Sequence, residues 1–233
     1  MGKLKLKSKH RLLCGDSTSK ENVERLMDGG KANMVFTDPP YGINVVKKDM
    51  VGADFGVAKK GKYRKIADDE TTDVAKLFFE IADSFLGCKK IVFWGGNYFG
   101  DFLPTTKNWL VWNKRAGTTI RNTFADGEMA WCSFDTPVRI YDQLWNGMIR
   151  EGEKEKRVHP TQKPTRMLGE IVLDFTKELE LIVDGFLGSG STLIACEQLN
   201  RKCYGMEIDP LYCDVIIKRW ENLTGRKAVL NDK

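Results

Sequence analysis

Asp38-Pro39-Pro40-Tyr41 closes an apolar run, "MVFTD", with residues that continue neither a sheet nor a helix. Proline lacks the backbone donor that a ladder needs, and it biases the residue before it towards extended conformations. The result is a rigid turn that carries a carboxylate and an aromatic ring. An exocyclic amine on a nucleobase is a poor nucleophile, because its lone pair is delocalised into the ring. Asp38 can accept one amine hydrogen and the fixed Pro39 carbonyl the other, which draws the nitrogen towards tetrahedral geometry and aims its lone pair at a methyl donor. The gain is positioning plus electrostatics, with no covalent intermediate. Tyr41 supplies a flat face for an unstacked base, worth about 1–3 kcal/mol.

A second constellation lies in "VDGFLGSGSTLIACEQL". A strand, glycines at 185, 188 and 190, then a helix make a nucleotide-type site, since a helix start offers free backbone donors to an anion. A phosphate-cradling P-loop needs Gly-Lys-Ser/Thr, whereas Gly190 is followed by Ser191 and Thr192. The dinucleotide fingerprint needs a third glycine at 193, which is Leu193. Glu207 stands 19 residues after Gly188, at the end of the next strand, where an acid can bind both ribose hydroxyls. An adenosine-bearing ligand with a small anionic end meets all these features. S-adenosylmethionine is such a ligand, with its carboxylate near the helix start and its ribose on Glu207.

These residues need a frame. Four short apolar runs each end on an acid: "RLLCGD" at Asp16, "MVFTD" at Asp38, "LIVD" at Asp184 and "CYGME" at Glu207. Helical patterns follow all but the second, with Ser17 as the expected N-cap of the first and Pro210 in the first turn of the last. Strands alternating with helices predict a doubly wound, mostly parallel α/β sheet. Its strand ends share one edge, so the four acids are expected to meet there. The plainer alternative, that each acid caps the next helix, is reasonable for any one of them and weak for all four. Residues 72–86 predict an amphipathic helix with Val74, Leu77, Phe78, Ile81 and Phe85 inward, and 164–178 a helix buried through Met167, Leu168, Ile171, Val172 and Phe175. Further strands are expected at 90–99, 108–114 and 127–134. Residues 44–66 and 114–126 look like surface loops rich in basic residues.

The chain has 233 residues, 42% hydrophobic and 30% charged, which suits one domain over 1–233. A net charge of +5 leans mildly towards polyanions. Six scattered cysteines without a C-x-x-C pair predict buried free thiols in a reducing compartment, and two histidines exclude a histidine-rich metal site. The basic N-terminus has no apolar core behind it, so no signal peptide is expected, and no run is long enough to span a membrane. The expectation is a soluble cytoplasmic protein with no metal.

"TDPPYG", "HPTQKP" and "DGFLGSGST", in this order, resemble the amino-methylating DNA methyltransferases of the β group, in which the catalytic motif precedes the cofactor motif. The likeness spans nearly the whole chain, from "LLCGDS" to "YGMEIDPLYCDVIIKRWE". It implies a Rossmann-like seven-stranded sheet with one antiparallel strand and helices on both faces, and S-adenosylmethionine as donor. The turn Asp38, Pro39, Pro40 and Tyr41 would be catalytic. Asp16, Asp38, His159, Thr161, Gln162, Lys163, Asp184, Phe186, Gly188, Gly190, Ser191 and Glu207 would hold the cofactor. Asp184-Gly185-Phe186 departs from the more usual Asp-Pro-Phe, a conservative change for a turn. The chain is short for the group, so loops 44–66 and 114–158 are the candidate target-recognition elements. Lys59, Lys60, Lys62, Arg64, Lys65, Arg115 and Arg121 are the candidate DNA contacts.

Asp38 favours adenine N6, because the cytosine-N4 enzymes that resemble this pattern often carry Ser there. Cytosine N4 is the runner-up. RNA enzymes with a similar tetrapeptide usually place the cofactor motif first. A non-catalytic relic would show damage to Asp38, Tyr41 or the glycine loop, and none is visible. The resemblance implies double-stranded DNA as substrate in a bacterium or its phage. It leaves room for a homodimer and for a companion restriction endonuclease acting on the same site.

Overall fold

A computed structural model of the chain describes residues 10–44, 50–51, 61–62, 69–118, 125–145, 159 and 161–230. The first half runs β1 (Arg11–Cys14), α1 (Lys20–Met27), β2 (Met34–Thr37), β3 (Met50–Val51), β4 (Gly61–Lys62), α2 (Asp73–Glu80) and β5 (Ile91–Trp94). It continues through β6 (Trp109–Asn113), β7 (Gly127–Cys132), β8 (Arg139–Asp142) and α3 (Thr165–Phe175). β9 (Leu181–Asp184), α4 (Ser191–Gln198), β10 (Lys202–Glu207) and α5 (Pro210–Thr224) complete it.

Eight strands form one sheet in the order β1-β10-β9-β2-β5-β7-β6-β8. β7 runs antiparallel to both neighbours, and the other pairs are parallel. The central strands MVFT, IVFW and LIVD are buried along their length, as strands covered on both faces must be. Alternation divides them between two cores. Met34, Phe36, Val92 and Trp94 pack with Ile171 of α3 and Leu193 of α4, whereas Val35, Ile91, Phe93 and Val183 pack with Val23 of α1 and Phe78 of α2.

The sheet has one strand more than the seven expected. The addition is β8, an edge strand in which only Tyr141 is buried, so four residues carry no readable alternation. The helix expected over 72–86 is α2 followed by a π turn, Ile81–Phe85. Ala75, Phe78, Phe79 and Ala82 form its buried face, and Leu77 is 48% exposed. Two alanines carry half of that face, and the wider π turn shifts the phase of its last residues. Ser19, not Ser17, caps α1, accepting from Asn22 N. Cys14 is exposed, and the other five cysteines are buried free thiols as expected. Within loop 44–66, β3 and β4 pair as a short antiparallel ladder.

Candidate active site

β1, β10, β9 and β2 are adjacent and parallel, so Asp16, Glu207, Asp184 and Asp38 come to one edge of the sheet in that order. They are held differently. Asp16 is exposed and accepts from Thr18 N at 2.8 Å and Thr18 Oγ1 at 2.7 Å. Asp184 is buried and accepts from Thr37 Oγ1 at 2.8 Å and Phe186 N at 3.0 Å, tying β9 to β2. Burial pushes its carboxyl up to about 6, against the pull of those donors. Glu207 accepts from Gly188 N at 2.8 Å on one oxygen and Asp209 N at 2.9 Å on the other, and burial raises its carboxyl too.

Among the described residues, Asp38 alone of the four meets a cation. Its Oδ2 lies 2.6 Å from Lys163 Nζ, and its Oδ1 accepts from the Tyr41 hydroxyl at 2.6 Å. Burial pushes the carboxyl above its ordinary value, with Lys163 pulling the other way. Lys163 also donates to the Tyr41 hydroxyl at 3.1 Å and lies 3.0 Å from Glu128 Oε2 on β7. Burial raises Glu128, but Lys163 and Lys114 together bring it down to about 2. Burial and then the Asp38 charge hold the Tyr41 hydroxyl well above its usual range.

The turn is anchored by Gly95, at φ 74°, where a Cβ would stand 2.3 Å from the Tyr41 ring. A side chain there would displace Tyr41. Tyr98, on the short 3-10 turn Gly96–Tyr98, stacks on Tyr41 with ring centroids 5.1 Å apart and 18° between planes. The flat face expected to receive a base is shared with a protein ring.

On the other side, Gly190 enters α4 at φ 80°, where a Cβ would stand 2.9 Å from Ile216 Cγ1. The buried Ser191 opens the helix, and Phe186 packs edge-on against Phe78. The His159 ring lies over Gly188, 3.4 Å from where a Cβ would be, and meets Tyr212 edge-on at 4.5 Å. Thr161 N and Oγ1 approach His159 Nδ1 at 3.3 and 3.2 Å, and the buried Gln162 donates its N–H to the His159 carbonyl. His159 therefore faces the glycine loop, while Lys163, four residues on, faces the Asp38–Tyr41 turn. Arg115 pairs with Asp126 at 2.6 Å. Lys59, Lys60, Arg64, Lys65 and Arg121 lie outside the described residues, as does the side chain of Lys62.

Sequence reasoning missed Thr37, Tyr98, Lys114 and Glu128. An acid inside the strand "GEMAWC" was the one available signal for Glu128, and no local pattern links it to a lysine 35 positions away.

The DNA methylase family model, N6_N4_Mtase, matches residues 135–219, a span that includes "HPTQKP" and "DGFLGSGST". The type II methyltransferase M2.LlaDCHI of Lactococcus lactis subsp. cremoris is 39% identical over 218 residues, covering 80% of this chain and 81% of that protein. This chain belongs to the β group of amino DNA methyltransferases. Among solved methyltransferase structures, the M1.HpyAVI–SAM complex matches with a TM-score of 0.58 at 20% identity, covering 91% of this chain and 98% of that one. The PvuII DNA methyltransferase, described as cytosine-N4-specific, matches with a TM-score of 0.59 at 16% identity, covering 97% and 88%. At such identities the likeness is one of methyltransferase fold.

Proposed function

We propose that this methyltransferase moves a methyl group from S-adenosylmethionine to the exocyclic N6 of an adenine extruded from duplex DNA. The observation that carries the reading is Asp38, a half-buried carboxylate held at the strand end by Lys163 and Tyr41 and followed by Pro39 and Pro40. Asp38 and the Pro39 carbonyl accept the two amine hydrogens. S-adenosylmethionine would supply the methyl group to the nitrogen lone pair and leave as the neutral thioether, and the surplus amine proton would pass to water along the hydrogen bond to Asp38. Tyr41 and its turn orient the base.

The other end of the edge suits the donor. Glu207 keeps acceptor capacity on both oxygens beyond its two backbone bonds, enough for a pair of ribose hydroxyls. The start of α4 offers backbone donors to a carboxylate, and the His159 ring packs over Gly188 at its edge. Asp16, Asp184, Phe186, Gly188, Gly190, Ser191, His159, Thr161 and Gln162 would line this half. Lys163 belongs to the catalytic half. Loops 44–66 and 114–158 would meet the DNA.

The test is methyl transfer from labelled S-adenosylmethionine to unmethylated duplex DNA, followed by digestion and identification of the modified nucleoside. N6-methyladenine is expected. N4-methylcytosine would keep the mechanism and overturn the base, an outcome in keeping with the cytosine-specific PvuII enzyme sharing the fold.

A further inference from the structure

Glu128 stands on the antiparallel strand β7, outside every motif of the sequence. One of its oxygens pairs with Lys114, and the other lies 3.0 Å from Lys163 Nζ. Lys163, only 6% exposed, reaches Asp38 at 2.6 Å. Lys114, Glu128, Lys163 and Asp38 thus form a line of four charges alternating in sign, brought together from β6–β7, the segment before α3 and the end of β2.

Both Asp38 oxygens are engaged, one by Tyr41 and one by Lys163. Each oxygen keeps a second lone pair, so a target amine donates beside one of these donors and competes with it for the carboxylate's charge. An ammonium as buried as Lys163 is strongly disfavoured without a carboxylate, and Glu128 is already at ion-pair distance. We infer that Lys163 and Glu128 are positioning residues for Asp38: Lys163 fixes and charges its carboxylate, and Glu128 retains Lys163 when the amine claims an Asp38 oxygen. The inference rests on the amino-methylation reading above.

The groups facing Asp38 are Tyr41 in its own turn, Lys163, Glu128 on β7 and Asp184 on β9, with Lys114 acting through Glu128. Burial is the largest influence and raises the Asp38 carboxyl, Lys163 lowers it, and Glu128 raises it. Removing the lysine and removing the glutamate must therefore move Asp38 in opposite directions. Charges this close would do so whatever their role, so the rate must respond as well.

The experiment follows the Asp38 carboxyl by carbon NMR in aspartate-labelled protein, assigned with Asp38→Asn, beside single-turnover methyl transfer to DNA across pH. Lys163→Met is expected to raise the Asp38 midpoint by about 1–3 pH units, with the acidic limb of the rate following it. Glu128→Gln is expected to lower that midpoint yet slow single turnover about tenfold, because Lys163 then has no second carboxylate, while KM for DNA stays within about twofold. Lys163→Arg should restore the midpoint and most of the rate, and it keeps the test open if Lys163→Met does not fold. Midpoints that stay put, or move the same way in Lys163→Met and Glu128→Gln, would overturn the inference. So would wild-type turnover in Glu128→Gln. Opposite midpoint shifts in a protein that methylates no DNA would support the pairing and overturn the proposed function instead.

Discussion

At the end of β2, Asp38 is met by the Lys163 ammonium, which Glu128 shares. On the neighbouring strands, Asp184 and Glu207 are held by backbone N–H groups and a threonine hydroxyl, and among the described residues no lysine or arginine pairs with either. The difference matches what each half is proposed to receive. A nucleobase amine is neutral, so the protein must supply the cation that keeps Asp38 charged. S-adenosylmethionine brings a sulfonium and an ammonium, so carboxylates left without a protein cation suit it. Burial raises Asp184 and Glu207, and a cationic ligand would relieve that cost.

Asp38→Ala is the hardest test of this division. It should lower methyl transfer by at least about 10³-fold, since positioning and electrostatics at the amine vanish together. S-adenosylmethionine binding, measured by calorimetry, should change by less than about tenfold, because Asp38 meets the cofactor half through its charge on Asp184 and not through a hydrogen bond. Joint loss of both would break the comparison.

Asp184 offers a stability test with a definite sign. Its carboxyl stands near about 6 in the fold against an ordinary 3.8, so folding takes up a proton between those values. Stability is then greatest below the lower value and is lost as pH rises through the upper one. Asp184→Asn keeps an acceptor for Thr37 and Phe186 without the charge. Urea unfolding at pH 8 should show it more stable than wild type by about 2–3 kcal/mol, a gain that disappears near pH 4. A destabilised variant at pH 8 would mean that the hydrogen bonds of the charged form outweigh its burial.

The parts legible in the sequence divide along the same line. The cofactor half is built from short-range grammar: strand, glycines, helix, then an acid after the next strand. Gly190 is forced locally by its φ of 80°, and the Ile216 side chain of α5 then closes the space that a Cβ would need. The catalytic turn was equally plain, because two prolines announce it. Its support was not. Lys163 belongs to a motif, yet its partner Glu128 comes from a strand that inserts antiparallel between β5 and β6, a choice of topology that no local spacing encodes. Edge strand β8 escaped for a simpler reason, having one buried side chain in four. Of the seven predicted DNA contacts, only Arg115 and the backbone of Lys62 in β4 fall among the described residues, and Arg115 is engaged with Asp126.

Glu207→Gln probes the cofactor half directly. It removes the charge and one acceptor oxygen while keeping the size, and charge-assisted hydrogen bonds contribute about 1.5–3 kcal/mol. S-adenosylmethionine affinity should fall about 10–100-fold by calorimetry, with the Asp38 titration unchanged. Unaltered affinity would remove Glu207 from the ribose site and leave its role as a clamp on Gly188 and Asp209.

The smallest effect expected lies on the other side, at Tyr98. Its ring is 45% exposed and covers one face of Tyr41 in a parallel stack. A base stacking on that face competes with Tyr98, and an aromatic pair contributes about 0.5–1.5 kcal/mol beyond its burial. Tyr98→Ala removes the competitor while Gly95 and Phe99 still seat Tyr41. In a duplex carrying 2-aminopurine at the target position, the extruded population should rise about 2–10-fold, read as fluorescence, with S-adenosylmethionine affinity unaffected. A fall in fluorescence would make Tyr98 a second wall of the base pocket, working with Tyr41 instead of standing in for the base. No change would mean that the base does not use this face of Tyr41, and the stacking role would then pass to another ring of the catalytic half.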